Sequence, residues 1–484
     1  MNPHGLKKDE YDVVIIGAGI GGLVCGCYLA KAGMKVLIVE QNYKVGGYCQ
    51  SFARDGFLFD ACAHSLGSCR KNGGTITKIL EGLGITDRIS LKRSNPSDII
   101  LTPDHKISFY SDLKQTIAEL QNIFPKEGKN IQSFFGLLTS PNSIPLLAFR
   151  NKTFQSVLDK YFTNSKLKAI LSLPVLGNAA LSPSLISGFT ASVVYREFVF
   201  DGGYYPNGGM QVLPDTLASR FKELGGTLLL SHLVNKIKID HNEAKGVLLA
   251  GGDFIPAKYI VSACDAAETF FDFLGREKID KDFANKLLTL EPSLSMFIMY
   301  LGIDDDMRVS FPGYTNIWYL PHYDMETLYL EAKNSRVNKL AEYYMVRILS
   351  NNRSLTICIN ANFESEEFWN THKESITNSL IRNMEKIFPS LSKHIVYKGV
   401  STPQTLYSWT LNYKGASYGW AWLPSQLMVE GLSQRTFIKN LYLTGHWTTS
   451  GQGLPAIAYL GSNCARLILN KNKEKDLASF SSAK

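Results

Sequence analysis

The run YDVVIIGAGIGG, Tyr11 to Gly22, is the part of the chain that fixes its architecture. Tyr11 to Ile16 is rich in β-branched residues, Gly17 to Gly22 suits a tight turn, and Leu23 to Ala32 reads as a helix that Gly33 ends. A second apolar run, Lys35 to Val39, follows at once and stops at Glu40. The pattern predicts a β-α-β unit of about thirty residues. Its turn, Gly17-Ala18-Gly19-Ile20-Gly21-Gly22, has the GxGxxG spacing of a dinucleotide site. The first glycine permits the turn, the second admits a pyrophosphate close to the backbone, and the third lets helix pack on strand. The amides at the helix N-terminus then face the phosphates. Glu40, eighteen positions beyond Gly22, is placed to accept hydrogen bonds from ribose hydroxyls, and its charge argues against a 2′-phosphate. FAD and NAD both satisfy this unit taken alone.

Working outward, the length of 484 residues implies two packed domains. With 45% hydrophobic and 19% charged residues and a mean hydropathy of -0.05, the expectation is a soluble globular protein. The net charge of +8 favours anionic ligands or lipid surfaces. The basic residues are scattered, without the aromatic-interleaved stripe of a nucleic-acid binder, so no nucleic-acid partner is expected. The eight cysteines lie mostly in apolar runs without the short paired spacings of a zinc site or a secreted framework. Reduced core thiols and no metal are expected. Ten residues before the first strand leave no room for a signal peptide, so a cytoplasmic chain is expected.

The helical pattern from about Ser111 to Phe200 marks a change of domain, and the alternating runs from about Leu287 to Trp422 read as antiparallel strands. Residues 1–110, 201–286 and 430–470 are assigned to a discontinuous Rossmann-like α/β domain. Residues 111–200 and 287–429 are assigned to a mixed sheet-and-helix substrate domain, and 471–484 to a flexible tail.

The choice of cofactor rests on Lys44-Val45-Gly46-Gly47-Tyr48-Cys49-Gln50-Ser51 and Gly56-Phe57-Leu58-Phe59-Asp60. Here the chain resembles the FAD-dependent amine-oxidase-like superfamily, whose Gly-Gly doublet lets backbone amides reach the pyrophosphate. The likeness extends to Pro206-Asn207-Gly208-Gly209-Met210, to Val234, to Ile260-Val261-Ser262-Ala263 with Asp265, and to the C-terminal Leu441-Tyr442-Leu443-Thr444-Gly445-His446-Trp447. Ser450-Gly451-Gln452-Gly453-Leu454-Pro455-Ala456 and a helix follow. The resemblance implies FAD contacts at Gly17, Gly19, Ile20, Gly21, Gly22, Glu40, Gln41, Gly46, Gly47 and Tyr48, and at Val234 beside the adenine. It also implies contacts at Gly445, His446, Gly453, Leu454 and Ala456, where helix amides stabilise charge on reduced flavin. His446 stands where the family carries an acidic or small residue.

Within the superfamily, Ser401-Thr402-Pro403-Gln404-Thr405 and Asn412-Tyr413-Lys414-Gly415-Ala416-Ser417-Tyr418-Gly419-Trp420 resemble the phytoene desaturase, carotenoid isomerase and retinol saturase group. That likeness implies redox chemistry at carbon-carbon bonds of an apolar polyene such as a carotenoid or retinoid, in a pocket lined by residues such as Trp409, Tyr418, Trp420 and Trp422. An apolar substrate and a positive charge together suggest peripheral membrane contact at the cytoplasmic face. His64 and His446 are the candidate catalytic groups: His64 because an imidazole suits proton transfer near neutral pH, and His446 as a hydrogen-bonding group on the flavin side. A flavin amine oxidase, or a noncatalytic prenyl-binding escort protein of the same fold, are the alternatives. No second GxGxxG marks a resident nicotinamide, which leaves quinone, oxygen and transient NAD(P)H open as electron partner.

Overall fold

A computed structural model describes residues 11–140, 144–304, 307, 309–349, 353–427, 429, 431–448 and 452–482, with side chains to residue 472. The first strand, Tyr11–Ile16, pairs in parallel with Val36–Val39 on one side and Phe254–Ser262 on the other. Both faces of this strand are covered, which is why its sequence is continuously apolar rather than alternating. Thr227–Leu229 extends the sheet beyond Val36–Val39, and Leu441–Leu443 joins it in parallel with Phe254–Ser262. The antiparallel strands Val234–Asp240 and Glu243–Leu249 continue from the other half of Phe254–Ser262.

Helix Ile20–Lys31 starts directly after the first strand. The connection is tight enough that a Cβ on Gly22 would stand 2.2 Å from the Gly17 carbonyl oxygen. Gly17 itself takes a φ of +97°, which side chains disfavour. This helix packs on the C-terminal helix Leu454–Ser482, so closely that a Cβ on Gly461 would lie 2.5 Å from the Gly21 carbonyl oxygen.

The second sheet has the spatial order Ile395–Ser401, Ser295–Ile303, Ser354–Ala361, Tyr344–Ile348, Asn316–Tyr319, Asp98–Leu101, Lys106–Phe109. Its pairings are antiparallel except that between Asn316–Tyr319 and Asp98–Leu101. The helices between Leu113 and Val199 bury Phe134, Phe154, Leu171 and Tyr195 in one core with Phe297, Trp318 and Ile357 of this sheet.

Two boundaries differ from the sequence reading. Residues 98–109 were expected in the dinucleotide-binding unit, yet they pair into the second sheet, where Ile100 and Ile107 join its core. Short strands carry too few residues to reveal which sheet they will complete. The expected flexible tail from 471 is helical through Ser482; it continues a helix already nucleated by its packed half, with Lys, Glu, Leu and Ala, which favour helix, among its residues.

Candidate functional site

A cleft open to solvent runs between the two sheets and is lined by residues of both domains.

The glycine end is made of backbone. Gly17, Gly19, Gly46 and Gly47 line it, and the Gly46 amide donates to the Ala18 carbonyl at 2.9 Å, which draws the two glycine turns together. A Cβ on Gly19 would meet nothing within 4 Å, whereas one on Gly46 would approach the Cys49 carbonyl oxygen to 2.8 Å. Thus Gly46 is needed by the fold, whereas the space over Gly19 is open. The N-terminus of helix Ile20–Lys31 has no side-chain cap and no acidic residue in its first turn, leaving its amides for an anion. Glu40 accepts from the Ala18 amide at 2.7 Å and the Asn42 amide at 2.9 Å. Burial raises its pKa, and those backbone bonds oppose the rise. Each carboxylate oxygen retains a lone pair for a hydroxyl donor. Val234 and Gln41 line the same end.

The histidine end is made of side chains. Tyr48, Cys62, His64, Phe198, Met296 and Tyr418 line it together with Gly445, His446, Gly453 and Leu454. The Tyr48 and His446 ring centroids lie 6.1 Å apart, and the Ala63 amide donates to the Tyr48 carbonyl at 3.1 Å. His64 Nδ1 lies 3.3 Å from the Cys62 carbonyl oxygen, which fixes the Nδ1–H tautomer of the neutral ring. Burial, with the Arg347 charge adding to it, pushes the His64 pKa down to about 4. Burial does the same for His446, also to about 4. Asn412 Oδ1 accepts from the Trp447 indole at 2.7 Å and lies 3.3 Å from His446 Nε2.

Two buried polar atoms of the cleft wall, Ser417 Oγ and Trp409 Nε1, have no hydrogen-bond partner among the described residues. Such orphans are rare in finished protein interiors. Together with the open space over Gly19 and the uncapped helix end, they fit a polar, phosphate-bearing ligand lying along the cleft.

The model of the flavin containing amine oxidoreductase family matches residues 20–269. The chain belongs to this family. It is a flavin-dependent oxidoreductase. Among curated proteins it is 26% identical to the chloroplastic prolycopene isomerase of Arabidopsis thaliana, over 96% of this chain and 84% of that one. It is 24% identical to the all-trans-retinol 13,14-reductase of Danio rerio, covering 98% and 88%. Identity to a 4,4'-diapophytoene desaturase of Methylomonas sp is also 24%, covering 96% and 97%. Among solved structures, an oxidoreductase from Methanosarcina mazei superposes with a TM-score of 0.64 at 17% identity, covering 93% of this chain and 98% of that one. A redesigned putrescine oxidase superposes with a TM-score of 0.68 at 13% identity, covering 96% and 99%. These two likenesses establish the fold of this family member.

Not every expected contact lies in the cleft of this flavoprotein. Gly22 and Ala456 are absent from its wall. Gly22 serves the strand-helix approach, and Ala456 sits in the first turn of the C-terminal helix. Ser450 and Gly451 fall outside the described residues. Of the four expected pocket aromatics, Trp409 and Tyr418 line the cleft, while Trp420 packs edge-on against Trp447, centroids 4.9 Å apart, and Trp422 packs on the larger core. Spacing alone does not separate a wall aromatic from a core one. Asn42, Asn178, Phe198, Glu268, Phe273 and Met296 line the cleft without any motif to announce them. One His/Glu group, His322, Glu331 and Glu342, brings ligand atoms within 4.8 Å of one another outside the cleft wall, and Lys339 pairs with Glu342 there. No helix among the described residues is long and apolar enough to cross a membrane.

Proposed function

We propose that this protein is an FAD-dependent oxidoreductase acting on a carbon-carbon bond of an apolar polyene of the isoprenoid class. The carrying observation is the division of one cleft: a backbone cradle for a pyrophosphate at Gly17, Gly19, Gly46 and Gly47, and an apolar chamber at Cys62, Phe198, Met296 and Tyr418. The names of its relatives, a prolycopene isomerase, a retinol reductase and a diapophytoene desaturase, support that substrate class. The FAD adenosine is assigned to Glu40, Gln41 and Val234, and the flavin to Tyr48, Gly445, His446, Gly453 and Leu454.

When bound, the flavin supplies a hydride acceptor or donor. The chain orients the substrate and excludes water. With both pKa values near 4, His64 and His446 are neutral at pH 7, so they act as hydrogen-bonding and positioning groups rather than as cationic acids. The His64 Nδ1–H is committed to Cys62, leaving Nε2 as an acceptor. The hydride step depends on orientation and dryness, and the proton that a desaturation loses with it, or a saturation gains, needs only a weak acceptor or donor in the cleft, a place the neutral His64 Nε2 would fill as acceptor.

Purified protein should bind FAD and release it on denaturation. With a panel of carotenoids and retinoids under anaerobic conditions, the oxidised flavin should bleach or the pre-reduced flavin should regain its colour, with a matching polyene product. Peroxide release from simple amines with no response to polyenes would establish an amine oxidase instead. Failure to bind FAD would overturn the reading.

A further inference from the structure

Beyond Glu40 the cleft ends in a corner formed by His232, Val234, Glu268 and Phe273. The His232 amide donates to the Glu40 carbonyl at 2.9 Å, which ties the approach to Val234 to the ribose carboxylate. The segment Glu268–Phe273 packs on strand Val234–Asp240. Phe273 is buried, and Glu268 sits half-buried with its carboxyl at the cleft. That carboxyl has no hydrogen-bond partner among the described residues, although its own amide donates to Asp265 Oδ1 at 3.1 Å.

The surroundings of this carboxyl are acidic. Asp265 precedes it by one helical turn, Asp272 follows by one, and both charges oppose its ionisation. Burial, then the charges of Glu268 and Glu40, raise the Cys264 thiol pKa. Asp265 is already occupied by the amides of Ala267, Glu268 and Tyr413. On the packed strand, Lys236 and Lys238 are exposed to solvent. His232 faces the same corner and pairs through Nδ1 with the Leu230 carbonyl.

We propose that Glu268 reads the base of the cofactor, its carboxylic acid O–H donating a hydrogen bond to an acceptor nitrogen of the adenine ring. The inference rests on the FAD reading above. A carboxylate could accept from the exocyclic amino group but has no hydrogen to give the ring nitrogens, whereas the protonated acid supplies that donor. Burial, then the charges of Asp265 and Asp272, hold the Glu268 pKa up at about 8. Binding that uses the proton strengthens as pH falls, because the complex holds the proton more firmly than the free cleft. Affinity for FAD therefore declines as pH rises through that value.

The test is equilibrium binding, followed by quenching of flavin fluorescence, to full-length protein freed of cofactor. For the unaltered protein the Kd for FAD should rise about tenfold between pH 7 and pH 9. Glu268→Gln keeps a donor and removes the titration, so its Kd should stay within about threefold of the parent at pH 7 and be flat with pH. Glu268→Ala should bind FAD about tenfold more weakly at pH 7, also without pH dependence. FMN, which lacks the adenosine, should bind the parent and Glu268→Ala alike. A tight but pH-independent Kd in the parent, or a pH rise retained in Glu268→Gln, overturns the assignment of Glu268 and leaves the FAD reading standing. No FAD binding at either pH overturns both. Unchanged melting temperatures of the cofactor-free variants confirm that affinity, not folding, is being read.

Discussion

At one end of the cleft, Gly17, Gly19, Glu40, Gly46 and Gly47 come from the single stretch 17–47 and present mostly backbone. At the other, His64, Phe198, Met296, Tyr418, His446 and Leu454 arrive from separate stretches and present side chains. In the function proposed above, the first end would hold what every dinucleotide shares, a doubly charged pyrophosphate and a ribose, which amides and one carboxylate suffice to bind. The second must fit one apolar molecule against one ring, and that requires shape. A general binding task is thus solved locally, and a particular one by assembly across the chain.

The largest expected effect breaks the glycine end at its foundation. Gly22→Val should destabilise the fold by about 3 kcal/mol or more, since the added atoms overlap the Gly17 carbonyl. Chemical denaturation of the cofactor-free protein measures it. Gly19→Ala, three positions earlier in the same turn, should leave that stability unchanged because its Cβ meets no protein atom, yet weaken FAD about a hundredfold by filling the space of the pyrophosphate. Equal losses of stability in the two variants would dissolve the distinction between a glycine for folding and a glycine for binding.

The histidine end should respond to acid instead. An imidazole with an ordinary unfolded value near 6.5 and a folded value of about 4 binds its proton less well in the native state, so the stability it contributes is present above 6.5 and lost as pH falls toward 4. Each of His64 and His446 should therefore remove about 2 kcal/mol between pH 7 and pH 5. Denaturation at the two pH values checks this, and His446→Asn should flatten part of the slope.

Smaller effects sharpen the picture further. Asn412→Leu orphans the buried Trp447 indole N–H and should cost about 1–2 kcal/mol, with a loosened environment reported by tryptophan fluorescence. His64→Gln should change the Kd for FAD little and slow polyene turnover about fivefold, the worth of one neutral hydrogen bond; separate measurements of flavin binding and product formation distinguish the two.

The sequence by itself determined the dinucleotide unit, because a tight turn, a close backbone approach and a ribose carboxylate each demand a particular residue type at fixed spacing. Gly17, Gly19 and Glu40 could be named for that reason, and Gly46 through the family resemblance. His64, Tyr418 and His446 were also legible, though as candidates rather than roles: burial holds both histidines in the neutral form, and no local pattern records burial. Only the tertiary structure decided that Tyr418 lines the cleft while Trp420 packs on Trp447. It also decided that residues 98–109 complete the second sheet, and that Glu268 reaches the corner beyond Glu40. Those placements depend on long-range packing, in which a side chain acquires its function from neighbours hundreds of residues away.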